Sequence, residues 1–89
     1  MVLKSLANDY VTIEKPDGTQ IPGVQAQVQP NLIIIPDPNI PLEEGDLITR
    51  RLRPGIEEIF EVIDRGFYDV GHGIEPHFQA KVKQGKANA

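Results

Sequence analysis

Sixteen of the 89 residues are glycine or proline, scattered along the whole chain from Pro16 onward. Proline removes a backbone donor and glycine weakens a helix interior. Punctuation this dense leaves no room for long helices and suits short strands joined by turns. The intervening segments carry a strand's period. In "GVQAQVQ", Val24, Ala26 and Val28 alternate with Gln25, Gln27 and Gln29, which predicts a half-buried strand with an amide-rich outer face. Upstream, Val11 and Ile13 alternate with Thr12 and Glu14, and "PDGT" follows. Gly18 can take the positive φ that a hairpin turn requires, so residues 10 to 21 read as a hairpin.

The second half repeats the pattern. "DLITRRL" and "IEEIFEVID" read as a hairpin around Arg53 to Gly55. Ile48 and Leu52 share a face with Arg50, while Leu47, Thr49 and Arg51 make the other. Phe60 and Val62 share a face with Glu58. Ile56, Ile59, Phe60 and Ile63 also fit a helical repeat, but the segment is short and rich in β-branched and aromatic residues, so a strand is preferred. "DRGFYDVGHGI" reads as a loop with three glycines. In "PHFQAKVKQ", Phe78, Ala80 and Val82 point inward, and His77, Gln79, Lys81 and Lys83 outward. Strands are thus expected at residues 24–28, 47–52, 58–63 and 77–83. The fold class is all-β and mainly antiparallel, a small barrel or roll of about six short strands. Residues 1–9 read as a tail or short helical turn, 10–84 as one β domain, and 85–89 as a disordered tail.

One segment breaks the alternation. Leu32, Ile33, Ile34 and Ile35 are apolar on both faces, and prolines follow at 36, 38 and 41. A small domain buries one face of such a strand. The other needs an N-terminal flap, the proline-rich connector or a second subunit. The flanking prolines favour a closed assembly over fibres. A homo-oligomer is expected, a dimer or dimer of dimers, with one face of Leu32 to Ile35 at or beside the interface.

The bulk numbers exclude several functions. The chain has no cysteine, hence no disulfide or thiolate site. No apolar run suffices for a signal peptide or membrane helix, so the expectation is a soluble cytoplasmic protein without membrane association. The net charge of −4 argues against nucleic acid. Residues 1 to 42 hold two basic and four acidic side chains, and residues 43 to 89 seven and nine. The second half is therefore mixed in sign.

Two constellations invite a chemical reading. "DVGHGIEPHF" places Asp69, His72, Glu75 and His77 within nine residues, and these are the only histidines. Imidazoles and carboxylates are metal ligands. However, His72 and His77 are five apart across Gly73 and Pro76, and no single element would present them together. They read as a loop residue and an outward or interface strand residue, with no metal and no cofactor. No Ser, Thr or Cys nucleophile lies nearby, so no catalytic residue is assigned and the chain is not read as an enzyme. The second constellation joins Arg50, Arg51, Arg53 and Arg65 to Phe67 and Tyr68, the ingredients of a single-strand nucleic-acid surface. Nearby carboxylates offer a plainer account: Arg51 and Arg53 would pair across the hairpin with Glu57 or Glu58.

With these residues in view, the chain resembles uncharacterised small bacterial β-rich domains of the mobile-element and phage-associated type. The shared string runs from "VQAQVQP" through "LEEGDLITRRL", a "PG" turn and "FEVIDRGFYD" to "HFQAKV". It covers most of residues 10 to 83, with "EEGD" (Glu43 to Asp46), "VIDRGF" (Val62 to Phe67), and His77 with Lys81 its most specific parts. The resemblance implies no activity. A looser similarity is to small β-barrel connectors of phage heads and tails. The leading expectation is a non-enzymatic, self-associating interaction module, with ligand or protein-partner contacts at Arg51, Arg65, Phe67, Tyr68, His72 and His77. The alternatives are a structural connector of a phage-type assembly, and a small-molecule or single-stranded nucleic-acid binder.

Overall fold

The computed structural model describes residues 9–53, 55–69, 71, 73 and 75–85. Of the expected N-terminal tail or short helical turn at residues 1–9 and the expected C-terminal tail at 85–89, residues 1–8 and 86–89 lie outside them. Seven strands form in chain order: β1 (Asp9–Glu14), β2 (Gln20–Val28), β3 (Leu32–Ile35), β4 (Leu47–Arg53), β5 (Ile56–Asp64), β6 (Phe67–Tyr68) and β7 (His77–Gln84). Residues 56–64 are strand, as β-branching and the flanking turn predict. The "FY" dipeptide, read from the glycines around it as loop, is strand β6. Its pairing with β7 outweighs the local signal.

Every pairing is antiparallel, in the order β3-β2-β1-β4-β5-β7, and β3 also pairs with β7. The sheet therefore closes into a six-stranded barrel. Inward residues meet at every seam: Val11 opposite Val24, Ile13 opposite Ile48, Ile48 opposite Phe60, Val62 opposite Val82, Ala80 opposite Ile33, and Ile33 opposite Val28. Strand alternation thus becomes a continuous ring of apolar contacts. Closure also accounts for "LIII". Ile33 and Ile35 are fully buried in the barrel. Leu32 and Ile34 face outward and are half-buried, opposite Lys81 and Gln79 of β7, with Gln27 on the other side of Ile34.

The eleven residues between β3 and β4 cross one barrel end, because β2 and β1 lie between those strands in the ring. Leu42 of this connector is fully buried, and Ile40 packs against the core. Lys15, just past β1, pins the crossing. Its ammonium donates to the Pro41 carbonyl (2.6 Å) and to Asp46 Oδ2 (2.7 Å), and reaches Glu43 Oε1 at 3.4 Å. Asp46 is buried, and its Oδ2 also accepts from the Glu43 amide at 2.9 Å. The carboxylate thus holds both the "EEGD" turn and the lysine. Gly45 takes φ 92° there, closed to most side chains.

At the opposite end, Arg50 points along the inward face of β4 and binds Glu58 through Nε at 2.9 Å and through Nη2, and Asp9 through Nη1 at 3.2 Å. Gln84 adds a bond to Glu58 at 3.3 Å. Arg50, Glu58 and Gln84 line a mouth of about 170 Å³ together with Val28 and Phe60.

Lys15→Met should therefore destabilise the fold by about 3 kcal/mol, the lower end for breaking a buried pair, because Asp46 would keep its charge without its cation. Burial lowers the Lys15 pKa, but its hydrogen bond and charge interaction with Asp46, then those with Glu43, outweigh burial and leave it raised. A raised folded-state pKa gives stability that is complete below about pH 10 and lost as the pH climbs through the folded value. In denaturant titrations from pH 7 to 11, the stability gap between wild type and Lys15→Met should stay constant up to about pH 10 and narrow above it. A gap still constant at the alkaline end would contradict the pairing.

Candidate functional site

The exposed large apolar side chains among the described residues are Tyr10, Leu52, Ile56, Ile63, Phe67 and Tyr68. Two of them, Phe67 and Tyr68, were singled out from sequence. The chain leaves β5 at Asp64, turns through Arg65 and Gly66, and rejoins the same edge of β7 as β6. Gly66 makes this possible. Its φ is 55°, its carbonyl accepts the Gln79 amide at 2.9 Å, and a Cβ there would overlap the Gln79 carbonyl oxygen. Asp64 Oδ1 accepts the Gly66 amide at 2.9 Å, closing the turn from the other side.

Strand alternation then sends Phe67 inward and Tyr68 outward. The Phe67 ring lies 4.9 Å from that of buried Phe78, tilted by 53°. Tyr68 stacks on His77, with centroids 5.6 Å apart and planes within 11°. His77 corrects the sequence reading. Its register is outward, as alternation requires, but it is only 3% exposed because Tyr68 covers it. Both ring nitrogens are engaged, Nδ1 with the Glu75 carbonyl at 2.8 Å and Nε2 with Gln79 Nε2 at 3.0 Å. A carbonyl can only accept, so Nδ1 carries the proton and Nε2 accepts from the Gln79 amide. The imidazole is thereby held in one orientation under the tyrosine ring.

The sequence candidates separate into groups. Phe67, Tyr68 and His77 come together, and Gln79 joins them. Ile34 pairs with Gln79 and Leu32 with Lys81, so their half-buried outer face continues this surface. Arg65 stands at its margin, exposed; its amide donates to Glu44 Oε2 at 3.0 Å and holds that carboxyl below its ordinary pKa. Arg51 does not belong. It is exposed near the β4–β5 turn, 3.5 Å from Glu57, at the barrel's other end. His72 lies outside the described residues. Among the described residues no three His, Asp or Glu side chains converge as a metal set. Sequence reading missed Gln79 as the histidine's partner, and Leu52 as an exposed apolar residue. Leu52 shares the inward parity of Ile48 but is 49% exposed, and it lies within a register shift between Arg51 and Arg53.

A second concavity of about 260 Å³ runs between Tyr10, Ile21, Pro22 and Val24 on one side and Pro36 and Ile40 on the other. It lies where the nine-residue β2 outruns the four-residue β3. Its lining is aliphatic apart from Tyr10, Gln25 and Asp37.

Gly66→Ala tests the platform directly. The added methyl must push β6 off β7 or strain the turn, at a cost of roughly 1–3 kcal/mol. Hydrogen exchange should show the Gln79 amide losing protection before the β2 and β3 amides do. Unchanged Gln79 protection would refute the docking role of Gly66.

Comparisons of the chain with protein-family models, with curated proteins and with solved structures gave no match.

Proposed function

We propose that this protein is a non-enzymatic interaction module that self-associates, and that its contact surface is the outer face built from β6, β7 and β3. One observation carries the reading. Tyr68 is 44% exposed on the outer side of a paired strand, yet its ring is stacked on that of buried His77. Aromatic side chains held rigidly at a surface lose little conformational entropy when a partner covers them, and such residues anchor protein contacts. The half-buried Leu32 and Ile34 extend the apolar area along the same face.

Binding of a small molecule or a single nucleic-acid strand is the second reading. The flat Tyr68 ring favours it, as a stacking platform. The surrounding charge does not. Exposed Asp69 follows Tyr68 and exposed Glu75 lies two residues before His77, while Arg51 is at the far end of the barrel.

Static light scattering is expected to find a species larger than the 9.9 kDa chain at high micromolar concentration. Ile33→Asp should unfold the protein, because it places a charge in the barrel at a cost of several kcal/mol, roughly the whole stability of a small domain. Ile34→Asp should stay folded by circular dichroism and run smaller than wild type. A monomeric wild type would overturn the proposal.

A further inference from the structure

The ring of strands divides into two halves. On one side β1, β2 and β3 follow one another both in sequence and in space, and on the other β4, β5 and β7 do the same, with β6 returning to the edge of β7. Two seams join the halves. Thr12 to Glu14 of β1 pair with Leu47 to Thr49 of β4, and Leu32 to Ile35 of β3 pair with Phe78 to Lys81 of β7. Beyond them, Lys15 of the first half binds Asp46 at the head of the second. The connector between β3 and β4 is the one covalent link between the halves, and it takes no part in the strand pairing.

That connector resists folding back. Pro36, Pro38 and Pro41 fix their own φ and push the residue before each of them, Ile35, Asp37 and Ile40, toward extended backbone. Its turn is closed by the Asn39 amide on Asp37 Oδ1 at 2.9 Å and by the Leu42 amide on the Ile40 carbonyl at 2.8 Å. Pro38 and Asn39 are exposed, so water can replace the first bond if the turn opens. Opened out, eleven proline-rich residues reach roughly 34 Å, which exceeds the molecule's shorter extents of 25 and 21 Å. The link is long enough to carry one half into a neighbouring barrel.

We infer that two copies of this chain exchange halves, the β1–β3 half of each closing a barrel with the β4–β7 half of the other. The partner surface is complementary because it is the surface already used within one chain: the same two seams and the same Lys15–Asp46 clamp form again, and only the turn at residues 37–40 changes. The order of folding favours it. Short turns let each half form locally, whereas the seams between halves join residues distant in sequence and close late. Until they close, each half presents open apolar edges that a second copy fits as well as its own chain does. Exchange does not use the outer face proposed above, so the two modes of association can be told apart.

Two tests use the full chain. Ile33→Asp ruins the first half, and Val62→Asp, also at a buried inward position, ruins the second. Each variant alone should be unfolded by circular dichroism. Refolded together in equal amounts they should recover half of the wild-type strand signal, in a species of two chains, because the two sound halves meet in one barrel. No recovery would overturn exchange. If either variant folds alone, engineered cysteines decide, since the chain has none of its own. Thr12→Cys with Thr49→Cys spans the β1–β4 seam, and Thr49→Cys with Ile59→Cys lies within the second half. After oxidation at high micromolar concentration, the first pair should give a two-chain product on a non-reducing denaturing gel and the second pair a single chain. Single chains from both pairs in an oligomeric protein would overturn exchange and leave the outer-face contact standing. A two-chain product from the first pair, in a dimer that Ile34→Asp does not disperse, would establish exchange and remove the outer-face contact. A protein that stays monomeric would remove both.

Discussion

The pairing of β3 with β7 is the contact on which the rest depends. Without it the six core strands form an open sheet whose two edges are a four-residue apolar strand and the last strand of the domain. Open apolar edges recruit other chains. With it, Ile33 meets Ala80 and Ile35 meets Phe78, and the inward residues of all six strands face one another. The outer face of the same two strands acquires a fixed geometry at once. Leu32 and Ile34 come beside Lys81 and Gln79, and Gln79 then holds His77 under Tyr68. Core closure and the candidate surface are two sides of one strand pair.

A barrel of this size has little core to spare for its ends, and it closes them with polar chemistry. Lys15 and Asp46 secure the connector over one end, and Arg50 with Glu58 and Asp9 fills the other. The two clusters differ in burial. Asp46 is 1% exposed and depends on its partners for every favourable interaction. The Arg50 cluster remains in touch with solvent, where ion pairs contribute little net stability. The buried clamp is therefore the one to which the fold is sensitive, and it fixes where β4 begins.

Most of the barrel was legible because alternation is a local signal that closure leaves intact. Val24, Ala26 and Val28, and Phe78, Ala80 and Val82, all point as their spacing predicts. The "PDGT" hairpin and the "EEGD" turn were also readable, since each contains a glycine at the positive-φ position. What escaped depends on residues distant in sequence. Leu42 is core although it lies in no strand, because the connector crosses an open barrel end. His77 is buried at an outward position because β6 pairs beside it, and β6 exists because Gly66 can approach Gln79. Leu52 is exposed despite its inward parity, within a register shift that no local pattern announces. Phe67 and Tyr68 were picked out as a pair from their chemistry, but not the strand that presents them.

The outer wall of the barrel is not uniform. Gln25 and Gln27 of β2 and the Lys83–Glu61 pair put polar groups on it, and anything that covered them would have to replace water with hydrogen bonds no better than those it displaced. Half-buried Leu32 and Ile34 of β3 and the exposed ring of Tyr68 carry no such penalty. A polar wall beside a small apolar strip discriminates between modes of contact, and the penalty against the wrong mode contributes as much to that discrimination as the attraction of the right one.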